Sequence, residues 1–107
     1  MKSMLIKTCC EMFKVDPKDL LGPARFGFLM PARFAMYESL RRRGWSHARI
    51  ANFMNRDRKT VSYGIERAKW HAERNPEYEK KIDTLATLQY AVVDMGAEES
   101  HDGPKDY

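Results

Sequence analysis

Between Ser46 and Ile65 the chain reads SHARIANFMNRDRKTVSYGI, two short stretches of helical periodicity interrupted at Asn55-Arg56. Two helices joined by so short a turn must cross steeply. Close crossing needs a small residue in the first helix, apolar contacts on both sides of it, and a turn residue that tolerates left-handed backbone. Ala51 meets the first requirement, Ile50, Met54, Val61 and Ile65 the second, and Asn55 the third. Ser46 is placed to cap a helix from His47 to Phe53 or Met54, and Asp57 to cap one running to about Trp70 or Arg74. With Val61 and Ile65 turned inward, Arg58, Lys59 and Ser62 project from the first turns of the second helix, and Tyr63 can join them. Such positions reach base edges when a helix lies in a major groove. Cations at a helix N-terminus oppose the dipole, and a phosphate-rich partner would compensate them. The plainer alternative is a helical hairpin with a solvated basic end.

The flanking segments are also helical, so an all-α, compact fold is expected. Ser3 to Phe13 offers Met4, Leu5, Thr8, Cys9 and Met12 as one apolar face. Asp16, Pro17 and Gly22 are a cap, a first-position proline and a stop for a short helix. Gly22 to Met30 reads as a loop packed onto the domain. A longer helix should start at Met30 or Pro31, carry Phe34, Met36, Tyr37 and Leu40 inward, and end at Gly44. Pro76 to Met95 reads as a last long helix, with Tyr78, Ile82, Leu85, Gln89 and Val92 forming a narrow seam. That seam packs back on the domain or forms a homodimer through residues 78–92. The expected organisation is therefore a DNA-binding domain at 1–74, a C-terminal helix at 75–95 and an acidic, disordered tail at 96–107.

Charge narrows the function classes. The net charge is +4 over 107 residues, yet residues 96–107 sum to −3 and residues 25–74 to +8. A folded segment with that field attracts polyanions. Cys9 and Cys10 are adjacent, which suits reduced thiols on a helix and not an ordinary disulfide. His47, His71 and His101 are isolated, so neither a metal nor another cofactor is expected. No catalytic constellation is apparent in a chain this short, and an enzyme is not expected. No apolar run is long enough for a membrane span. The start lacks a signal-peptide cleavage site, and the expected location is the cytoplasm.

The strings KTCCEMFKVDPKDLLG, PARFAMYESL and NRDRKTVSYGIERAK carry a resemblance. From Leu5 to about Lys69 the chain resembles the C-terminal DNA-binding domain of DnaA, the bacterial replication initiator. The third string resembles that family's signature G-R-D-H-T-T-V followed by a helix. The resemblance implies a helix-turn-helix fold. It also implies that Asp57 contacts bases, where a capping role competes for the same carboxylate, and that Thr60 contacts a phosphate or a methyl group. It places Arg25 near an arginine that enters the adjacent minor groove and Arg33 near residues that touch backbone phosphate. Arg58 and Lys59 stand where the family has His and Thr, and arginine prefers guanine. The initiator's own specificity is therefore not expected. No G-x-x-x-x-G-K-[ST] loop occurs, so binding, recruitment or occlusion is expected and nucleotide-driven assembly is not.

The expected function is sequence-specific binding of double-stranded DNA, regulating transcription or replication by occupancy or by recruiting RNA polymerase or the replication machinery. Asp57, Arg58, Lys59, Thr60 and Ser62 would read bases. Arg25, Arg33, Arg42, Arg43, Arg49, Arg56, Tyr63 and Arg67 would hold phosphate or enter a minor groove. The competing expectation is a protein-interaction module working through the C-terminal seam and the acidic tail.

Overall fold

Helix starts and stops are set by local hydrogen bonds, and most are visible in the residues that make them. The computed structural model describes residues 3–88. Its helices are α1 (Ser3–Phe13), α2 (Pro17–Leu21), α3 (Met30–Arg42), α4 (His47–Met54), α5 (Arg58–Arg74) and α6 (Pro76–Thr87), with a 3-10 turn at Gly27–Leu29. The described residues contain no strand, and none of their helices is long and apolar enough to cross a membrane. Asp16 accepts from the Lys18 amide at 2.8 Å, Ser46 from Arg49 at 3.1 Å, and Asp57 from Thr60 at 2.7 Å. Asn75 accepts from both Glu77 and Tyr78, at 3.0 and 3.2 Å. Each side chain satisfies an amide that its helix leaves without a partner.

Three stops share one geometry. Lys14, Gly44 and Asn55 have φ of 57°, 94° and 57°. The next amide in each case bonds five residues back, Val15 to Cys10, Trp45 to Leu40 and Arg56 to Ala51, at 3.0, 3.2 and 2.8 Å. This is the Schellman closure, which needs left-handed backbone just after the helix. Gly44 and Asn55 were expected as stops. Lys14 was not, because nothing in a lysine favours that conformation.

Helix α3 is the hub, packed against α1, α4, α5, α6 and the 3-10 turn. Ala32, Ala35, Met36, Tyr37 and Leu40 are buried, and so are the polar Arg33, Glu38 and Ser39. Phe34, expected inside with them, is half-buried. The closest approach of α3 to α5 depends on Gly64, where a Cβ would lie 2.8 Å from the Phe34 ring and closer still to Tyr37. On α1 the inward face is Leu5, Ile6, Cys9 and Cys10, while Met4 is 37% exposed. The face is turned by about one residue from the expected one. Apolar residues cover a wide arc of this helix, so contact with the rest of the core decides which edge goes in. Both thiols are buried and unbridged; burial pushes Cys9 far up and Cys10 up to about 11, so both stay protonated.

Helix α6 is shorter than expected, ending at Thr87 with Leu88 in extended backbone. Tyr78, Ile82 and Leu85 are buried in the common core, and the Tyr78 hydroxyl donates to the Pro31 carbonyl at 2.7 Å. Arg43 reaches across from α3 and donates to the carbonyls of Leu85 and Leu88, at 2.6 and 2.9 Å. A guanidinium thus closes the carbonyl end of α6. This packing bears on an expectation left open between two uses. Of the two uses expected for the seam, Tyr78, Ile82 and Leu85 adopt packing on the domain. Gln89, Val92 and the 96–107 tail lie outside the described residues.

Gly64→Ala should lower stability by about 1–3 kcal/mol, the usual cost of overpacking a filled interior. Urea unfolding monitored by circular dichroism would measure it.

Candidate nucleic-acid interface

The α4–α5 pair is joined by a short turn. Asn55 takes φ 57°, ψ 50°, and Arg56 and Asp57 follow before α5 begins at Arg58. Ala51, Ile50 and Met54 are buried from α4, and Val61, Gly64, Ile65 and Ala68 from α5. That burial turns Arg58 and Lys59 outward, where both are exposed. Among the described residues neither side chain makes a hydrogen bond or a salt bridge, although, secondary to the Thr60 amide, the Lys59 charge and amide help to lower the Asp57 pKa. Two open clefts flank the first turn of α5. One includes Ala48, Asn52, Arg58 and Lys59, and the other includes Arg25, Phe34 and Thr60; Arg56 borders both. Arg25, Arg58 and Lys59 therefore fall around a single exposed helix start.

Asp57 is fully committed to the local backbone at one oxygen, which accepts from the Thr60 amide. That bond, together with the Thr60 hydroxyl, holds its carboxyl below the usual aspartate range. The cap, then, is what the structure gives Asp57. Thr60 is half-buried at the edge of the Arg25 cleft. Ser62 lies 2.7 Å from His47 Nδ1, a bond that ties the start of α4 to α5 and occupies the hydroxyl expected at bases. Tyr63 is 61% exposed and stands edge-on to Phe34. Arg67 is half-buried, 3.4 Å from His71 Nε2 and 5.3 Å from the Trp70 ring centroid.

Five arginines expected at phosphate do other work. Arg33 donates to the carbonyls of Asp19, Leu20 and Gly22, at 2.7, 3.0 and 3.1 Å. Arg56 donates to Gly22 at 2.6 Å and to Asn55 at 2.9 Å, with Leu21 at 3.3 Å. Together they saturate the carbonyl end of α2, whose last C=O groups have no partner within the helix. Arg42 is held by Glu38 at 3.0 Å and by both oxygens of Glu79, at 2.7 and 2.9 Å. Arg43 closes α6 as described. Arg49 is 8% exposed with its guanidinium 3.7 Å over the Trp45 ring centroid. All five lie where the backbone, a carboxylate or an aromatic face receives them. Charge counting could not separate these cations from those at the surface, because most of the receiving groups are distant in sequence.

Sequence reasoning also passed over the 3-10 turn, where Phe26 and Phe28 stand exposed on either side of Gly27. No periodicity marks them. Among the described residues no cluster of His, Cys, Asp or Glu is arranged to hold a metal ion. No family model, curated protein or solved structure matches the chain.

The Asp57 cap has a defined pH signature. A carboxyl lowered in the folded state stabilises above its unfolded pKa, and that stabilisation is lost as pH falls through the folded value. Asp57→Ala should lower the urea midpoint at neutral pH, and its difference from the unsubstituted chain should shrink as pH falls below the ordinary aspartate range. Asp57→Asn, which caps without titrating, should not show that pH dependence.

Proposed function

We propose that the chain is a helix-turn-helix protein that binds double-stranded DNA in a sequence-dependent way, with the first turn of α5 in the major groove. The observation that carries this reading is the pairing of a rigid left-handed turn at Asn55 with two exposed, unpaired cations at the helix start that follows it. A helix start with Arg58 and Lys59 repels its own dipole, and phosphate or a guanine edge relieves that repulsion. The resemblance of Asn55 to Val61 to the DnaA signature supports the same reading. Arg58 and Lys59 are the base-reading candidates, while Arg25 and Tyr63 hold the flanking backbone. Binding of this kind regulates transcription or replication by occupying a promoter or origin or by recruiting the machinery that works there. The rival reading, a partner docked on the α6 seam, loses Tyr78, Ile82 and Leu85 to the core.

Selection from a random duplex pool, followed by salt-titrated binding to the recovered sequence, tests the proposal. Arg58→Ala should weaken binding by about 1–3 kcal/mol and relax preference at one base pair. Arg25→Ala should weaken all sequences alike and reduce the salt slope by about one. Arg42→Ala, by contrast, should lower stability through loss of the Glu38 and Glu79 bonds and leave the salt slope unchanged. Recovery of no enriched sequence, or affinity indifferent to both Arg58 and Arg25, overturns the assignment.

A further inference from the structure

The 3-10 turn holds two phenyl rings in the open. Phe26 and Phe28 are 57% and 62% exposed, and their rings stack with centroids 5.4 Å apart and planes 7° from parallel. The turn beneath them is closed: the Leu29 amide donates to the Phe26 carbonyl at 3.0 Å, and the Leu29 side chain is fully buried. The rings therefore project from an anchored base. Other exposed aromatics have neighbours that account for them, since Arg74 lies 4.0 Å over the Trp70 ring centroid and Tyr63 stands against Phe34. Phe26 and Phe28 have each other.

Their position relates them to α5. Arg25, the residue before the pair, borders the same cleft as Thr60 and Arg56, and Gly27, between the rings, borders the groove of Tyr63 and Arg67. The pair thus stands beside the exposed helix start, displaced toward the Tyr63 side. No acidic residue occurs from Leu20 to Tyr37, so nothing in this segment repels a polyanion. An apolar pair set among cations matches a surface that is anionic outside and flat and apolar within. Stacked bases behind a phosphate backbone are such a surface.

We propose that Phe26 and Phe28 form an aromatic wedge that enters from the minor groove beside the site bound by α5, unstacks one base step and bends the duplex. The inference rests on the DNA-binding reading above. With α5 filling the major groove, the neighbouring minor groove is the face left to the turn. Apolar side chains inserted there open a step and kink the helix axis toward the major groove. One ring presents its outer face to the exposed base, and the second backs it, since a base stacks on any aromatic face.

The test uses the full chain and the duplex recovered from the random pool, carrying a donor and an acceptor at its ends or 2-aminopurine at successive flanking positions. The unsubstituted chain should shorten the end-to-end distance and brighten 2-aminopurine at one step on the Arg25 side. The double variant Phe26→Ala/Phe28→Ala should abolish both signals while affinity falls by less than about tenfold, because the unstacking cost disappears with the contact. Both side chains are exposed, so the variant should keep its circular dichroism; Phe26→Leu/Phe28→Leu, which preserves apolar bulk without a flat face, should retain part of the bend. A bound duplex that stays straight and dark at every step overturns the wedge and leaves the α5 reading standing. So does a bend that survives the double alanine variant. A chain that binds no duplex removes both.

Discussion

The arrangement of the α4–α5 pair depends on how two guanidinium groups treat the carbonyl end of a five-residue helix. A helix as short as α2 has hardly any internal hydrogen bonds, and its terminal carbonyls would be left without partners beneath the domain. Arg33 enters from α3 and Arg56 from the turn after α4, and both converge on the carbonyl of Gly22. Burial lowers the Arg33 pKa, and the nearby Arg56 charge lowers it further. The arrangement holds because arginine keeps its proton far above neutrality and has donors enough for several carbonyls. One contact set therefore joins α2, α3 and the turn that aims α5. The orientation of the exposed helix start is inherited from it.

The remaining charges divide along the same line. Glu38 is buried on α3, and although burial pushes its pKa up, bonds from Arg41 and Arg42 outweigh this and leave it lowered. Arg42 continues to Glu79 and so pins α6 against α3. Arg25, Arg58 and Lys59 are exposed, without a side-chain hydrogen bond or salt bridge among the described residues, and they fall around one feature. A strongly basic composition spread evenly would act as a diffuse field. Here several arginines are taken up inside the domain, and three exposed cations gather where α5 begins.

Local chemistry was legible in the sequence and long-range chemistry was not. Asp16, Ser46 and Asp57 each sit within three residues of the amides they accept from, so their roles follow from neighbours alone. Asn55 was readable because few side chains tolerate its backbone. By contrast, the inward edge of α1, the glycine that lets α5 approach α3 and the fates of Arg33, Arg42, Arg43 and Arg56 depend on residues 11 to 45 positions away, while Arg49 stacks on Trp45 a single helical turn back. An arginine pattern carries no mark that tells a phosphate-binding side chain from one that closes a helix. The C-terminal seam stayed open between two uses for a related reason: a stripe of Tyr78, Ile82 and Leu85 fits a dimer and a monomer core equally well, and only the position of α3 decides.

Acid would not loosen this molecule evenly. The clamp on α2 runs from guanidinium to backbone carbonyls, and neither side gains or loses a proton in the acid range. The Arg42 link between α3 and α6 and the cap of α5 instead use Glu38, Glu79 and Asp57, all of which are depressed carboxylates. Falling pH should therefore weaken the Arg42 link and fray the start of α5, while α6 stays held by its buried Tyr78, Ile82 and Leu85 and by Arg43. Partial opening would begin at the edges that titrate.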